Sequence, residues 1–229
     1  EVFFLDPYCD HERNNINPLL TSDAAHMWQD DELKSQVAEL RFRFRNHPEA
    51  LIHGDLHSGS VFVTADSSKI IDPEFAFYGP MGFDIGCIMG NLLLNYCAQS
   101  ALDGKPDERK NYQDCLHHTV INLWNNFAEN FTCLMQDKTL DSSNHSESIQ
   151  TKRLGNILSD SLGFAGTEMI RRTIGISHVA DLESIKNDAD RAKAEKMALD
   201  VGQALIKQCR QIQSTEQLTA LLNIILHTR

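Results

Sequence analysis

The sequence predicts a mainly α-helical chain interrupted by one small β-loop island, and three observations carry that prediction. Apolar residues recur at helical spacing through six segments, at 31–45, 83–100, 107–134, 147–173, 189–211 and 215–227. Three short β-leaning pieces, at 51–53, 61–64 and 69–71, are crowded together between the first and second of these segments. No repeat period or low-complexity tract competes with this pattern.

Taken in order, the acidic run Asp30-Asp31-Glu32 starts the first helix, Leu33, Val37 and Leu40 give it one apolar face, and His47-Pro48 closes it. The β-leaning pieces are separated by the polar stretch from Gly54 to Gly59 and by the turn Ala65-Asp66-Ser67-Ser68. The segment from Phe83 to Ser100 reads as a buried helix, in which Gly86 and Gly90 leave one face open to close approach by another backbone. The later helices carry apolar stripes, among them Leu116, Val120, Leu123 and Phe127, then Leu199, Leu205 and Ile206, and stripes of this kind face a core. A polar break from Asp137 to Ser146 is expected to be a mobile loop.

The 229 residues suffice for one large domain or two small ones, and 41% apolar residues can fill an ordinary core. The longest uncharged apolar stretch, from Ile85 to Ala101, is broken by Gly86, Gly90, Asn91, Asn95 and Gln99, so a core helix is expected there and no membrane span. The amino terminus, Glu1 to Pro7, has neither a basic leader nor a long apolar run before a small-residue cleavage site. Six cysteines without a C-x-x-C pair, most of them inside apolar helical patterns, are expected to behave as small hydrophobes in a reducing cytosol. A net charge of −11 argues against nucleic acid or anionic lipid as a partner, since both demand a basic face.

The polar residues of the island carry the chemistry. His53-Gly54-Asp55-Leu56-His57-Ser58-Gly59-Ser60 follows the first β piece, and Asp72-Pro73-Glu74 follows the hairpin-like stretch from Val61 to Ile71. This order brings three carboxylates to one edge, as phosphoryl transfer requires: one acid handles the proton of the attacking hydroxyl while others hold Mg²⁺ against the phosphates. Asp55 suits the first role. Asp72 and Glu74 suit the second, because alternate residues of an extended segment face the same way. Each piece alone has a plainer meaning, since Gly-Asp and Asp-Pro are common turn formers and a single His more often braces a loop. The ordered combination, H-x-D before a hairpin and D-x-E after it, favours the catalytic reading.

His53-Gly54-Asp55-Leu56-His57 resembles the catalytic loop of aminoglycoside phosphotransferases and choline kinases, within the protein-kinase-like fold. The run from Ile71 through Asp72-Pro73-Glu74-Phe75-Ala76-Phe77-Tyr78-Gly79-Pro80 to Gly86 is similar to a segment characteristic of the S-methyl-5-thioribose kinase family. Asp6-Pro7-Tyr8 and Glu168-Met169-Ile170-Arg171-Arg172 extend the likeness. The resemblance implies that residues 1–229 form the C-terminal catalytic lobe of such a kinase, without its ATP-covering N-terminal lobe. It implies Asp55 as catalytic base, Asp72 and Glu74 as Mg²⁺ ligands, Asp84 and His53 as braces of the catalytic loop, and His57 and Ser60 as auxiliaries. Where relatives of the wider fold place an Asn, five residues after the catalytic Asp, this chain has Ser60, as the methylthioribose kinase loop also does. Glu74 is then expected to supply the missing coordination.

Arg171 and Arg172 stand about 100° apart on a helix, so one is expected to face solvent and the other the protein. The resemblance instead places both at the sugar site. Its further implications are ATP as co-substrate, 5-methylthioribose as acceptor in methionine salvage, a cytoplasmic location and a homodimer. Neither G-x-G-x-x-G nor G-x-x-x-x-G-K-[ST] occurs, and the chain alone is expected to be inactive. Competing readings are a related kinase for an aminoglycoside, choline or homoserine, a non-catalytic remnant, and a binuclear metal hydrolase. For the last, His117-His118, His145, His178 and His227 supply no G-N-H-E motif.

Overall fold

The computed structural model describes residues 1–138 and 146–227. Two 3-10 turns, Asp6–Tyr8 and Pro18–Leu20, lead into helices α1 (Thr21–Trp28) and α2 (Asp31–Asn46). The island follows, with strands β1 (Ala50–Ile52), β2 (Val61–Val63), β3 (Ser68–Ile70) and β4 (Phe77–Gly79). Six helices complete the chain: α3 (Gly82–Gln99), α4 (Pro106–Lys138), α5 (Glu147–Ile174), α6 (Ala180–Glu183), α7 (Asp188–Gln208) and α8 (Thr215–His227). No described helix is long and apolar enough to cross a membrane.

Local chemistry accounts for the helix boundaries. The Asp30 carboxylate caps α2 by accepting from the Leu33 N–H at 2.9 Å, acids occupy the first turn and Arg43 and Arg45 the last, each favourable to the helix dipole. Asn187 caps α7 in the same way, accepting from the N–H groups of Ala189 and Asp190. The apolar stripe of α2 buries Leu33, Val37 and Leu40.

α5 is the spine. Every residue from 157 to 171 is buried, because α3 crosses one side of this helix and α7 another. The α3 crossing depends on glycine: a Cβ on Gly86 would lie 2.5 Å from the Ser161 carbonyl oxygen, so nothing larger fits without separating the helices. One apolar cluster, with Met89, Leu94, Leu158, Leu162 and Leu205, binds α3, α5 and α7 to α4 and α8. A second, with Phe4, Leu33, Leu40, Phe83, Phe164 and Ile170, binds the N-terminal segment and α2 to the opposite side of the spine.

Several expectations need correction. The island holds four strands in two separate antiparallel pairs, β1 with β4 and β2 with β3. β4 lies inside the run from Ile71 to Gly86, for which no strand was expected, because Phe77, Tyr78 and Gly79 pair with Ile52, Leu51 and Ala50. α1 and α6 add helices that periodicity did not single out, both too short to display a repeating face. Only Cys87, Cys97 and Cys209 are buried, while Cys9, Cys115 and Cys133 are exposed, because α4 turns the latter two toward solvent. Of the expected loop at 137–146, residues 137 and 138 end α4 and 139–145 lie outside the described residues.

Candidate functional site

Asp55 is held in place from beneath. β1 ends at Ile52, and the chain then turns sharply at Gly54, whose φ of 87° falls in the left-handed region. A Cβ there would also lie 2.3 Å from the Phe75 carbonyl oxygen, so glycine is required twice over. Asp84, in the first turn of α3, accepts from the backbone N–H of His53 through Oδ2 at 2.5 Å and from that of Gly54 through Oδ1 at 3.0 Å. The loop before Asp55 is thus fastened by one carboxylate to the start of the helix that crosses the spine.

His53 ties the two acidic motifs together. Its Nδ1 accepts from the Asp55 N–H at 3.4 Å, which leaves Nε2 to carry the proton and donate to the Ile71 carbonyl at 2.8 Å, immediately before Asp72. Ser60 closes the same loop from the other side: its N–H donates to the His57 carbonyl, its carbonyl accepts from the Ile71 N–H, and its side chain is buried. The His57 ring lies against Gly59, at 3.0 Å from where a Cβ would stand.

Asp72 adopts a left-handed backbone, φ 66°, which few residues other than Asp and Asn tolerate. Asp72 and Glu74 are both exposed, and the Ala76 N–H closes a turn onto the Pro73 carbonyl. Among the described residues no three His, Cys, Asp or Glu side chains assemble into a group able to hold a metal ion unaided. The gathering of Asp55, Asp72 and Glu74 at one edge is therefore looser than their order in the sequence suggests. Two exposed carboxylates still match the donor chemistry of Mg²⁺, which typically takes one or two protein carboxylates and completes its shell with phosphate oxygens and water.

Both arginines turn inward, against the expectation that one would face solvent. Arg171 Nη2 lies 3.7 Å and Arg172 Nη2 3.6 Å from the same Asp55 oxygen, Oδ1. The cause is Glu168, one turn earlier on α5 and 1% exposed at its side chain. Its Oε2 accepts from Arg171 Nε at 2.9 Å and Nη2 at 2.8 Å, and its Oε1 accepts from Arg172 Nε at 2.7 Å. Asn91 of α3 donates to Oε1 at 3.1 Å. The Arg171 guanidinium also lies over the Phe3 ring, 4.0 Å from its centroid, and Arg172 donates to the Ser177 carbonyl.

Electrostatics follow from that packing. Burial pushes the Glu168 carboxyl upward, but the two guanidiniums and their hydrogen bonds outweigh it and hold the group below the usual carboxylate range. Burial acts to lower Arg172, and Glu168 with Asp55 more than offsets it, so this guanidinium is firmly charged. The nearby Cys87 thiol is driven well up by burial and by the negative charge of Glu168. Sequence reasoning assigned no role to Glu168, Asn91 or Phe3. The spacing of Glu168, three and four residues before the arginines, was the available signal, since such residues share a helix face.

The arrangement can hold a hydroxyl against Asp55 and an anionic group against two fixed guanidiniums. Comparison with known proteins agrees with this chemistry. The chain is 45% identical over 220 residues to a methylthioribose kinase of Yersinia enterocolitica, covering 96% of this chain and 55% of that protein. It is 47% identical over 206 residues to one of Yersinia pseudotuberculosis serotype IB, covering 90% and 50%, and 46% identical over 220 residues to one of Enterobacter sp., covering 96% and 55%. The chain spans about half the length of the curated relatives it matches. The model of the phosphotransferase enzyme family matches residues 3–123, more than half of the sequence, and the chain belongs to that family.

Proposed function

We propose that residues 1–229 form the C-terminal catalytic lobe of a kinase that transfers the γ-phosphoryl group of ATP to the 1-hydroxyl of 5-methylthioribose, giving the 1-phosphate ester and ADP. The observation that carries this reading is the single Asp55 carboxylate flanked by Arg171 and Arg172 within 4 Å. In this reading Asp55 orients the acceptor hydroxyl and takes its proton as the oxygen attacks phosphorus. The two guanidiniums balance charge on the transferred group. Asp84 and His53 hold the loop, while Ser60 and His57 maintain its turn. Asp72 and Glu74 would hold Mg²⁺, which when bound neutralises charge on the nucleotide phosphates. The acceptor comes from the names of the relatives together with the run from Ile71 to Gly86. The same reading makes the enzyme a cytosolic homodimer, its location supported by six cysteines that form no disulfide with one another.

The ATP-covering lobe lies outside residues 1–229 in this proposal. It agrees with the exposure of Phe62, Val63, Ile70 and Phe75 on the island, an apolar surface suited to burial against further chain. The test has two arms. The 229-residue chain, mixed with ATP, Mg²⁺ and 5-methylthioribose and followed by mass spectrometry, should give no appreciable product, because transfer depends on in-line positioning worth ~7–11 kcal/mol. Joined to the remaining half found in its relatives, it should turn over, and Asp55→Asn, Asp72→Ala and Glu74→Ala should each suppress that turnover. Robust turnover by the chain alone refutes the division into lobes, and an active Asp55→Asn enzyme refutes the assigned base.

A further inference from the structure

We infer that Glu168 is a positioning residue that sets both guanidiniums at the Asp55 site, and that Asp55 is their exchangeable partner; the functional half of this inference rests on the kinase reading above. Two carboxylates compete for the arginines, and the distances separate their roles. Glu168 makes three hydrogen bonds of 2.7–2.9 Å to the pair, whereas Asp55 stands off at 3.6–3.7 Å and its side chain is 33% exposed. The buried bonds define where the guanidiniums sit, and the longer, wetter contacts to Asp55 can yield when an anionic group enters.

Formal charge makes the arrangement consequential. Arg171 and Arg172 are balanced by Glu168 and Asp55, so the cluster is neutral before any phosphoryl group arrives. An incoming anion must draw the guanidiniums away from one carboxylate. Glu168 is fixed by Asn91, which also donates to the Cys87 carbonyl and whose Oδ1 accepts from Ser58 Oγ of the catalytic loop at 3.5 Å. Phe3, beneath Arg171, restricts that guanidinium from a second direction. Glu168 therefore connects the catalytic loop, α3 and the arginine pair, while itself lying out of contact with solvent and with any substrate in the open site.

The test begins with the 229-residue chain and needs no turnover. Phenylglyoxal modifies accessible arginines, and peptide mapping by mass spectrometry reads each site. In the wild type Arg171 and Arg172 should label slowly. In Glu168→Gln, which keeps the shape and removes the charge, both should label about tenfold faster as the pair is released to local opening. Arg43 and Arg210, held by Asp160 at a separate site, should keep their rates and serve as internal controls. Should Glu168→Gln fail to fold, Glu168→Asp retains the charge but is one methylene too short to serve both partners, and an intermediate labelling rate is expected. In the full-length enzyme Glu168→Gln should lower kcat by about a hundredfold with little change in KM, as a misplaced catalytic group does, and Glu168→Asp should restore part of it. Unchanged labelling overturns the inference, as does faster labelling with undiminished kcat. A wild-type full-length enzyme silent toward 5-methylthioribose refutes the proposed acceptor instead, and the labelling alone then decides the positioning role.

Discussion

Replacing Asp84 by Asn isolates the fastening of the loop before Asp55 from the chemistry proposed for it. The carboxylate accepts two backbone N–H groups, one on each oxygen. An amide has one oxygen and one NH₂, so whichever way it lies, either His53 or Gly54 presents its N–H to another donor. A hydrogen bond to a charged group contributes ~1.5–3 kcal/mol and a neutral one about 1. Losing one of the first kind and converting the other gives a gross cost of about 3–4 kcal/mol, which water entering this half-buried loop reduces to ~2–3. That energy is stored locally, so it should appear as easier opening of residues 53–55 more than as global unfolding. At tenfold per 1.4 kcal/mol, exchange of the His53 and Gly54 amides should accelerate roughly 30- to 140-fold. Hydrogen exchange read by NMR or mass spectrometry measures it, with the amides of α5 as the reference. If the two amides exchange at the wild-type rate in Asp84→Asn, the carboxylate does not fasten the loop and the reasoning fails.

Asp160→Asn should lower stability by about 3 kcal/mol, or ~6–12 °C in Tm, because Arg43 and Arg210 lose their shared buried counter-charge; the half-open side of Arg210 keeps the figure at the low end. A melt within 2 °C of wild type, roughly the smallest shift expected for 1 kcal/mol, would contradict it. Gly86→Ala should destabilise by ~1–3 kcal/mol even though Ala gains about 1 kcal/mol in helix propensity, since the new methyl meets the α5 backbone; a rise in the denaturation midpoint would show that the helices separate freely. The Glu168 carboxyl is depressed in the folded state, so its contribution is fully present above the ordinary carboxylate pKa and disappears as pH falls through the depressed value. The stability gap between wild type and Glu168→Gln should therefore be flat near neutrality and shrink in acid, and a gap that widened in acid would reverse the sign of the argument.

Much of this was written in the order of residues. α2 was legible because its cap, its apolar face and its closing His47-Pro48 agree, and α3 because Gly86 and Gly90 recur at one-turn spacing. β4 was not, since three residues carry too little alternation and the strand exists only through its pairing with β1, about 27 residues earlier. The acids of the site were visible as motifs. The inward turn of both arginines was not, because a helical wheel assigns them to different faces and only the packing around α5 draws the second one, half-buried, toward Glu168. Asn91 and Phe3 had no local signature at all: their roles arise from the α3–α5 crossing and from the N-terminal segment folding back over Arg171.

The burial of α5 on all sides between residues 157 and 171 divides the site into parts with different resistance to opening. Arg171 and Glu168 belong to a helix that solvent cannot reach without parting both apolar clusters, so their amides should exchange only with the slowest class in the molecule. Asp72 and Glu74 sit on an exposed segment beyond a hairpin of two three-residue strands, where opening disturbs almost no buried surface. A partner that binds the acidic segment therefore has ordering left to do, while one that binds the arginines meets a surface already set. Heat or denaturant should erase the acidic half first, leaving an intermediate that still presents two fixed guanidiniums.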